Sequence, residues 1–236
     1  MKRAELTGLV LARQDYRERD AIVTLATPNG RARLFARGVQ KGTSKNRRLT
    51  NPFSKVTVDV DGEMLIHGVL DEYFFRIQED LRMQAACLAV NEVLANSEIT
   101  PEIYDRLLAL WKACQQGSDD WIGHAALVTA SVLRQHGIAP GVDGCMECGA
   151  KSPIVCADVR HGGFLCERHA YGKARWTKES LFRLRHVIKV PYGSEHLIDL
   201  SGWTLAELVW LIDWYGWYTQ SHLTGLRFLK QVDDLY

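Results

Sequence analysis

The sequence predicts an α+β protein in two parts, a small N-terminal five-stranded β-barrel followed by an α-helical domain that carries an inserted metal-binding module. Three observations lead there. Short apolar runs punctuated by turn residues fill the first 70 or so positions, and the hydrophobic period becomes helical after residue 76. A cluster of Cys, His and Gly then interrupts the helical part between residues 141 and 172.

The expected strands are 4–13, 21–27, 31–39, 53–60 and 63–71. Pro28, Asn29 and Gly30 read as a tight turn between the second and third, and Asp61-Gly62 as a hairpin turn between the fourth and fifth. Val56, Val58 and Val60 alternate with Lys55, Thr57 and Asp59, the period of a half-buried strand. Five short strands in so few residues suit a closed barrel, with an OB-fold as the leading form and an SH3-like barrel as the alternative. We place this domain at 1–76 and the helical domain at 77–236.

The first helix is expected from Leu81 through Ala85, Leu88 and Ala89 to Val93. Thr100-Pro101 looks like an N-cap followed by proline at the first helical position. A third helix spans about 119–136 and stops at Gly137, and the last, 204–223, opens with the capping-box pattern Thr204…Glu207. Cys87 and Cys114 fall on apolar helix faces and read as core.

The insert holds two chelating pairs, Cys145/Cys148 and Cys166/His169, each with two intervening residues and separated from each other by seventeen. Three thiolates and one imidazole would fill a tetrahedral zinc site and leave no position for water, which makes one structural Zn2+ the expected cofactor and excludes a catalytic role for it. Cys156 is the competing fourth ligand.

Net charge is +1, yet no Asp or Glu occurs between Asp20 and Asp59. That stretch carries Arg31, Arg33, Arg37, Lys41, Lys45, Arg47 and Arg48. On a strand over 31–39, Arg31, Arg33, Phe35 and Arg37 share one face while Ala32, Leu34 and Ala36 share the other. The outer set combines phosphate-binding guanidinium groups with a ring that either stacks a base or packs at the rim. The loop carrying Lys41, Lys45, Arg47 and Arg48 extends that surface toward a phosphate backbone. Eight more cations between Arg160 and Lys189 form a second basic set, diluted by Glu167 and Glu179.

No phosphate-binding loop, nucleophile elbow or metalloprotease motif is present, and no catalytic residue is assigned, so a binding protein rather than an enzyme is expected. The N-terminus lacks a signal-type apolar run and no segment reaches the length of a membrane span, which predicts a cytoplasmic protein with reduced cysteines and no membrane partner.

The run from Thr7 through Tyr16 and Asp20 to Leu25 resembles the opening strands of the bacterial RecO recombination mediators. Thr27–Gly30, Phe35–Val39, Pro52-Phe53, and Cys145/Cys148-Gly149 followed by Gly162-Gly163 and Cys166 are similar to later parts of the same family. The family's last zinc ligand is usually Cys where this chain has His169. The resemblance implies an OB-fold that binds single- and double-stranded DNA and anneals complementary strands. It further implies action with RecR to place RecA on strands coated by the single-strand-binding protein, at the nucleoid. The residues alone leave two other readings open: a zinc-ribbon RNA-binding or ribosome-associated protein, and a scaffold using the zinc module and the Trp-rich last helix.

Overall fold

The computed structural model describes residues 3–235. Strands β1 (Arg3–Tyr16), β2 (Asp20–Thr27), β3 (Gly30–Ala36), β4 (Ser54–Asp61) and β5 (Met64–Tyr73) close in the order β1-β2-β3-β5-β4, with β4 returning to β1. All contacts are antiparallel except the short parallel pairing of Phe35 with Met64 and Ala36 with Leu65 that seals β3 to β5. This is an OB-like barrel. Its interior is the alternating apolar set, including Val10, Val23, Leu25, Leu34, Ala36, Val56, Val58 and Val60, and Leu49 from the 3-10 turn Arg47–Thr50 joins them.

Strand β1 runs on to Tyr16, past the expected residue 13, and β5 to Tyr73, past residue 71; two further limits move for reasons visible in the structure. β3 ends at Ala36 instead of residue 39, because Gly38 turns the chain at φ 67° and its N–H bonds to Asp20 Oδ1 at 2.8 Å. Arg37 therefore leads into the turn instead of continuing the strand face. Phe53 precedes β4 in a left-handed conformation (φ 64°), and its ring leaves the barrel to meet Trp111 edge-to-face at 5.6 Å. Phe74 meets the same indole at 5.5 Å, so Leu9, Leu11, Phe53 and Phe74 belong to the core of the helical body. Strand β1 is thus buried on both sides at Leu9-Val10-Leu11.

The helical body comprises α1 (Arg76–Glu79), α2 (Leu81–Ala95), α3 (Pro101–Gln116), α4 (Trp121–Gln135), α5 (Lys178–Lys189), α6 (Leu205–Thr219) and α7 (Thr224–Asp233). Thr100 caps α3 by accepting from the Ile103 N–H, and Thr204 with Glu207 completes the capping box of α6. The expected final helix 204–223 is in fact two. Gln220 turns left-handed (φ 54°) and ends α6, and α7 then packs along α2, its first N–H groups held by the Glu92 carboxylate at 2.6–2.9 Å. Helix α5 lies where only a basic flank had been expected; its apolar face is Leu181, Leu184, Val187 and Ile188.

Arg106, 3% exposed, is the most buried cation of the body. Its guanidinium reaches Glu102 at 2.5 Å, Glu195 at 2.6 Å and Ser131 Oγ at 2.6 Å, so every side of the charge is answered. Among the described residues no helix is long and apolar enough to cross a membrane.

Candidate metal centre and nucleic-acid interface

The insert is built on the hairpin of β6 (Ile154–Asp158) and β7 (Gly163–Cys166). Cys145 and Cys148 lie on a turn closed by Gly149 N–H to Cys145 O and Cys145 N–H to Ala150 O, both 2.8 Å. Gly149 holds φ 71° there, a conformation that a side chain would strain. Gly163 is required for a different reason: a Cβ would stand 2.2 Å from the Gly141 carbonyl. Cys166 ends β7, and the turn that follows brings His169 back, with its N–H on Cys166 O at 3.0 Å.

One donor atom from each of Cys145, Cys148, Cys166 and His169 lies within 4.8 Å of the others. His169 Nδ1 is 3.5 Å from Cys145 Sγ and 3.4 Å from Cys166 Sγ, and Cys148 and Cys166 Sγ are 3.8 Å apart. A tetrahedron with ordinary zinc–sulfur and zinc–nitrogen bonds has edges of about 3.8 Å between sulfurs and about 3.6 Å from sulfur to nitrogen. The four residues therefore fit one such ion.

Burial pushes the Cys145 thiol up, but the backbone N–H groups of Cys166, Cys148 and Glu147 and the His169 ring outweigh it and bring it to about 6. His169 is raised by Cys145 and then Cys166, as an imidazole facing thiolates must be. Cys156 stands outside the donor group; it is fully buried and packs with Leu165 and Ala170 beneath it.

The module is fastened to the helical body. Trp176 meets Trp210 of α6 edge-to-face at 4.9 Å, and Tyr218 Oη donates to Val159 O at 3.3 Å. Most of the second basic set is taken up in ion pairs, of which the first two named here join α5 to the module. Arg185 and Lys189 of α5 both reach Asp143 (3.0 and 2.7 Å), Arg183 reaches Glu207 (2.7 Å), Arg175 reaches Glu167 (2.6 Å) and Lys173 reaches Asp158 (2.7 Å).

The barrel differs. Arg31, Arg33, Arg37, Lys41, Lys45, Arg47 and Arg48 are all exposed, and none has an acidic partner among the described residues. Arg31 stands apart from the other six, since its guanidinium donates to the Ala95 carbonyl at the end of α2 and so ties barrel to body. Phe35 is half-buried, its ring edge-to-face with Tyr16. Lys45, Arg47 and Arg48, with Ser44 and Asn51, line a cleft of about 550 Å³.

A second cleft of about 490 Å³ joins Arg37 and Lys41 to Arg17 and Arg19 of the β1–β2 turn. Sequence reasoning missed Tyr16, Arg17 and Arg19. Glu18 and Asp20 mask their charge in a linear count, and the available signal was an aromatic followed by alternate arginines at a turn.

Comparisons with known proteins agree with this architecture. Residues 1–65 match the family described as Recombination protein O N terminal, and residues 78–226 match Recombination protein O C terminal. The DNA repair protein RecO of Exiguobacterium sibiricum is 30% identical over 97% of this chain and 96% of its own length. The RecO proteins of Bacillus pumilus (26% identical, 97% and 94% covered) and Anaeromyxobacter dehalogenans (28%, 100% and 99%) align end to end as well. The chain belongs to the RecO family of recombination and DNA repair proteins.

Proposed function

We propose that this protein binds single- and double-stranded DNA through its barrel, anneals complementary strands and, with RecR, helps to load RecA onto strands covered by the single-strand-binding protein. The observation that carries the DNA-binding step is the row of exposed cations from Arg33 to Arg48, none of which forms an ion pair among the described residues. Unpaired guanidinium and ammonium groups remain available to replace the counterions of a phosphate backbone, which gives tight, salt-dependent and sequence-tolerant binding. Two strands held on such a surface repel each other less, and that favours annealing.

The chain divides at about residue 76 in this reading, with the module at 141–172 inserted in the second domain. Cys145, Cys148, Cys166 and His169 would hold one zinc ion whose contribution is structural: a closed four-ligand shell clips the hairpin and leaves no site for substrate. DNA contact is assigned to Arg33, Arg37, Lys41, Lys45, Arg47 and Arg48, with Phe35 at the rim. Arg31 acts mainly as the tie to α2.

The test is binding of labelled single-stranded DNA, duplex DNA and matching RNA across a salt series, with strand annealing measured alongside. Affinity that falls steeply with salt, and faster annealing, are expected. RNA bound in preference to DNA would favour the ribosome-associated reading, and no binding to any nucleic acid would overturn the assignment.

A further inference from the structure

The barrel end formed by the β1–β2 turn and the turn after β3 is more than a charged surface. The two turns are zipped together. Gln40 N–H bonds to Arg19 O at 3.0 Å, Gln40 Nε2 donates to Asp20 O at 2.7 Å and to Arg17 O at 3.3 Å, and Gly38 N–H occupies Asp20 Oδ1. Arg17 is held left-handed (φ 53°), an uncommon conformation for a non-glycine residue. The cleft so made gathers Arg17, Arg19, Arg37 and Lys41 against Glu18 and Asp20, and the hydrogen bond from Gly38 already engages one of the two acids.

Beside this cleft Tyr16, 41% exposed, closes β1 opposite Asp20. Phe35 supports its ring from the next strand but one, at 5.8 Å and 80° between planes. The Arg17 guanidinium lies 5.2 Å from the Tyr16 ring centroid. The edge-to-face contact orients the ring and the Arg17 guanidinium covers part of one face, yet Tyr16 remains 41% exposed, and the guanidinium is itself a cation that a nucleobase can meet.

We propose that Tyr16, oriented by Phe35 and flanked by Arg17, is a stacking platform for an unpaired nucleobase, and that it gives the barrel its discrimination between single-stranded and duplex DNA. The inference rests on the DNA-binding reading above. The cations alone cannot discriminate in this way, because both forms of DNA present phosphates. A base inside a duplex has both faces covered by its neighbours, so only an unpaired base can place a face on Tyr16. The cleft cations would hold the phosphates that flank that base.

The experiment uses the full-length, metal-loaded protein with Tyr16→Ala, Tyr16→Trp and wild type. Affinities are measured for a single strand and a blunt duplex of the same length, and a fluorescent adenine analogue in the strand reports stacking by quenching. Tyr16→Ala should weaken single-strand binding about 10-fold and abolish the quenching, with duplex affinity within about twofold of wild type. Tyr16→Trp should retain both. Equal losses on strand and duplex, or no change on either, would overturn the platform while leaving the DNA-binding reading intact. A wild-type protein that binds neither form would overturn that reading and this one together. Thermal melts of the variants matching wild type exclude a folding defect as the cause of a selective loss.

Discussion

Two regions carry this protein's basic residues, and they use them in opposite ways. Around the candidate metal centre five of the eight cations between Arg160 and Lys189 are locked to carboxylates: Lys173, Arg175, Arg183, Arg185 and Lys189. On the barrel the cations from Arg33 to Arg48 face solvent and form no ion pair among the described residues. A paired cation has its field cancelled within a few ångströms and serves as a fastener; an unpaired row keeps a positive potential that reaches about a Debye length into solution. Counting basic residues along the chain makes the two sets look alike. Only their partners distinguish an interface from a clasp.

The hardest way to break the comparison is to remove the clasp's anchor. Cys148→Ser, or a strong chelator, should lower bound zinc from about one per chain toward none and deprotect the module to hydrogen exchange. Barrel amides and DNA affinity should change little, and a barrel that unfolds with the module would erase the distinction between them.

Arg106→Ala comes next. It strips Glu195 of its partner, leaves Glu102 with Arg134 alone and opens a gap beside Ser131. A loss of about 2–3 kcal/mol is expected in denaturant unfolding, less than for a fully buried charge left unpaired, because both carboxylates reach solvent.

Replacing Arg33, Arg37, Lys41 and Arg47 together with Ala should leave the melting temperature near wild type. Single-strand affinity should fall on the order of 100-fold at moderate salt, and the log–log salt slope should shrink by about 3. An unchanged slope would show that the phosphates lie elsewhere.

The smallest expected effect is the most diagnostic. Lys189, and then Arg185, hold the Asp143 carboxyl below the usual carboxylate range. Asp143→Asn should release both cations and raise DNA affinity at low salt by up to about threefold. If affinity falls instead, the module takes part in binding in its paired state.

Acid should loosen the module by a related route. Burial pushes the Asp158 carboxyl up, but His161 and Lys173 more than offset it and hold it at about 2. A depressed carboxylate contributes stability that is present above its ordinary value near 4 and is lost as pH falls toward 2. Near-ultraviolet dichroism, to which Trp176 and Trp210 beside the hairpin contribute, should report that loss over this window.

Much of this arrangement is legible in the residues. Alternation at Val56, Val58 and Val60 marks β4, Thr204 and Glu207 mark the start of α6, and two spaced pairs mark the metal site. Each is a local signal, in which period, cap chemistry or chelate spacing is complete within a few residues. The split of the last helix into α6 and α7 was missed because it depends on a left-handed Gln220, a residue type that does not announce that conformation. Helix α5 leaves a weaker signal in the residues, because its cations interrupt the apolar spacing at Leu181, Leu184 and Val187.

What the sequence by itself determined is therefore the barrel's alternating strands, the principal helix caps and the four ligand types with their spacing. These follow from backbone geometry and short-range chemistry. The tertiary structure set Cys156 outside the donor group that the spacing had assigned to Cys145, Cys148, Cys166 and His169, and it alone decided that Arg31 ties the barrel to α2. It also decided which cations are paired, Asp143 meeting Lys189 across 46 residues while Arg33 to Arg48 form no ion pair among the described residues. Electrostatic partnership depends on distance in space, and chain separation of that length carries no information about it.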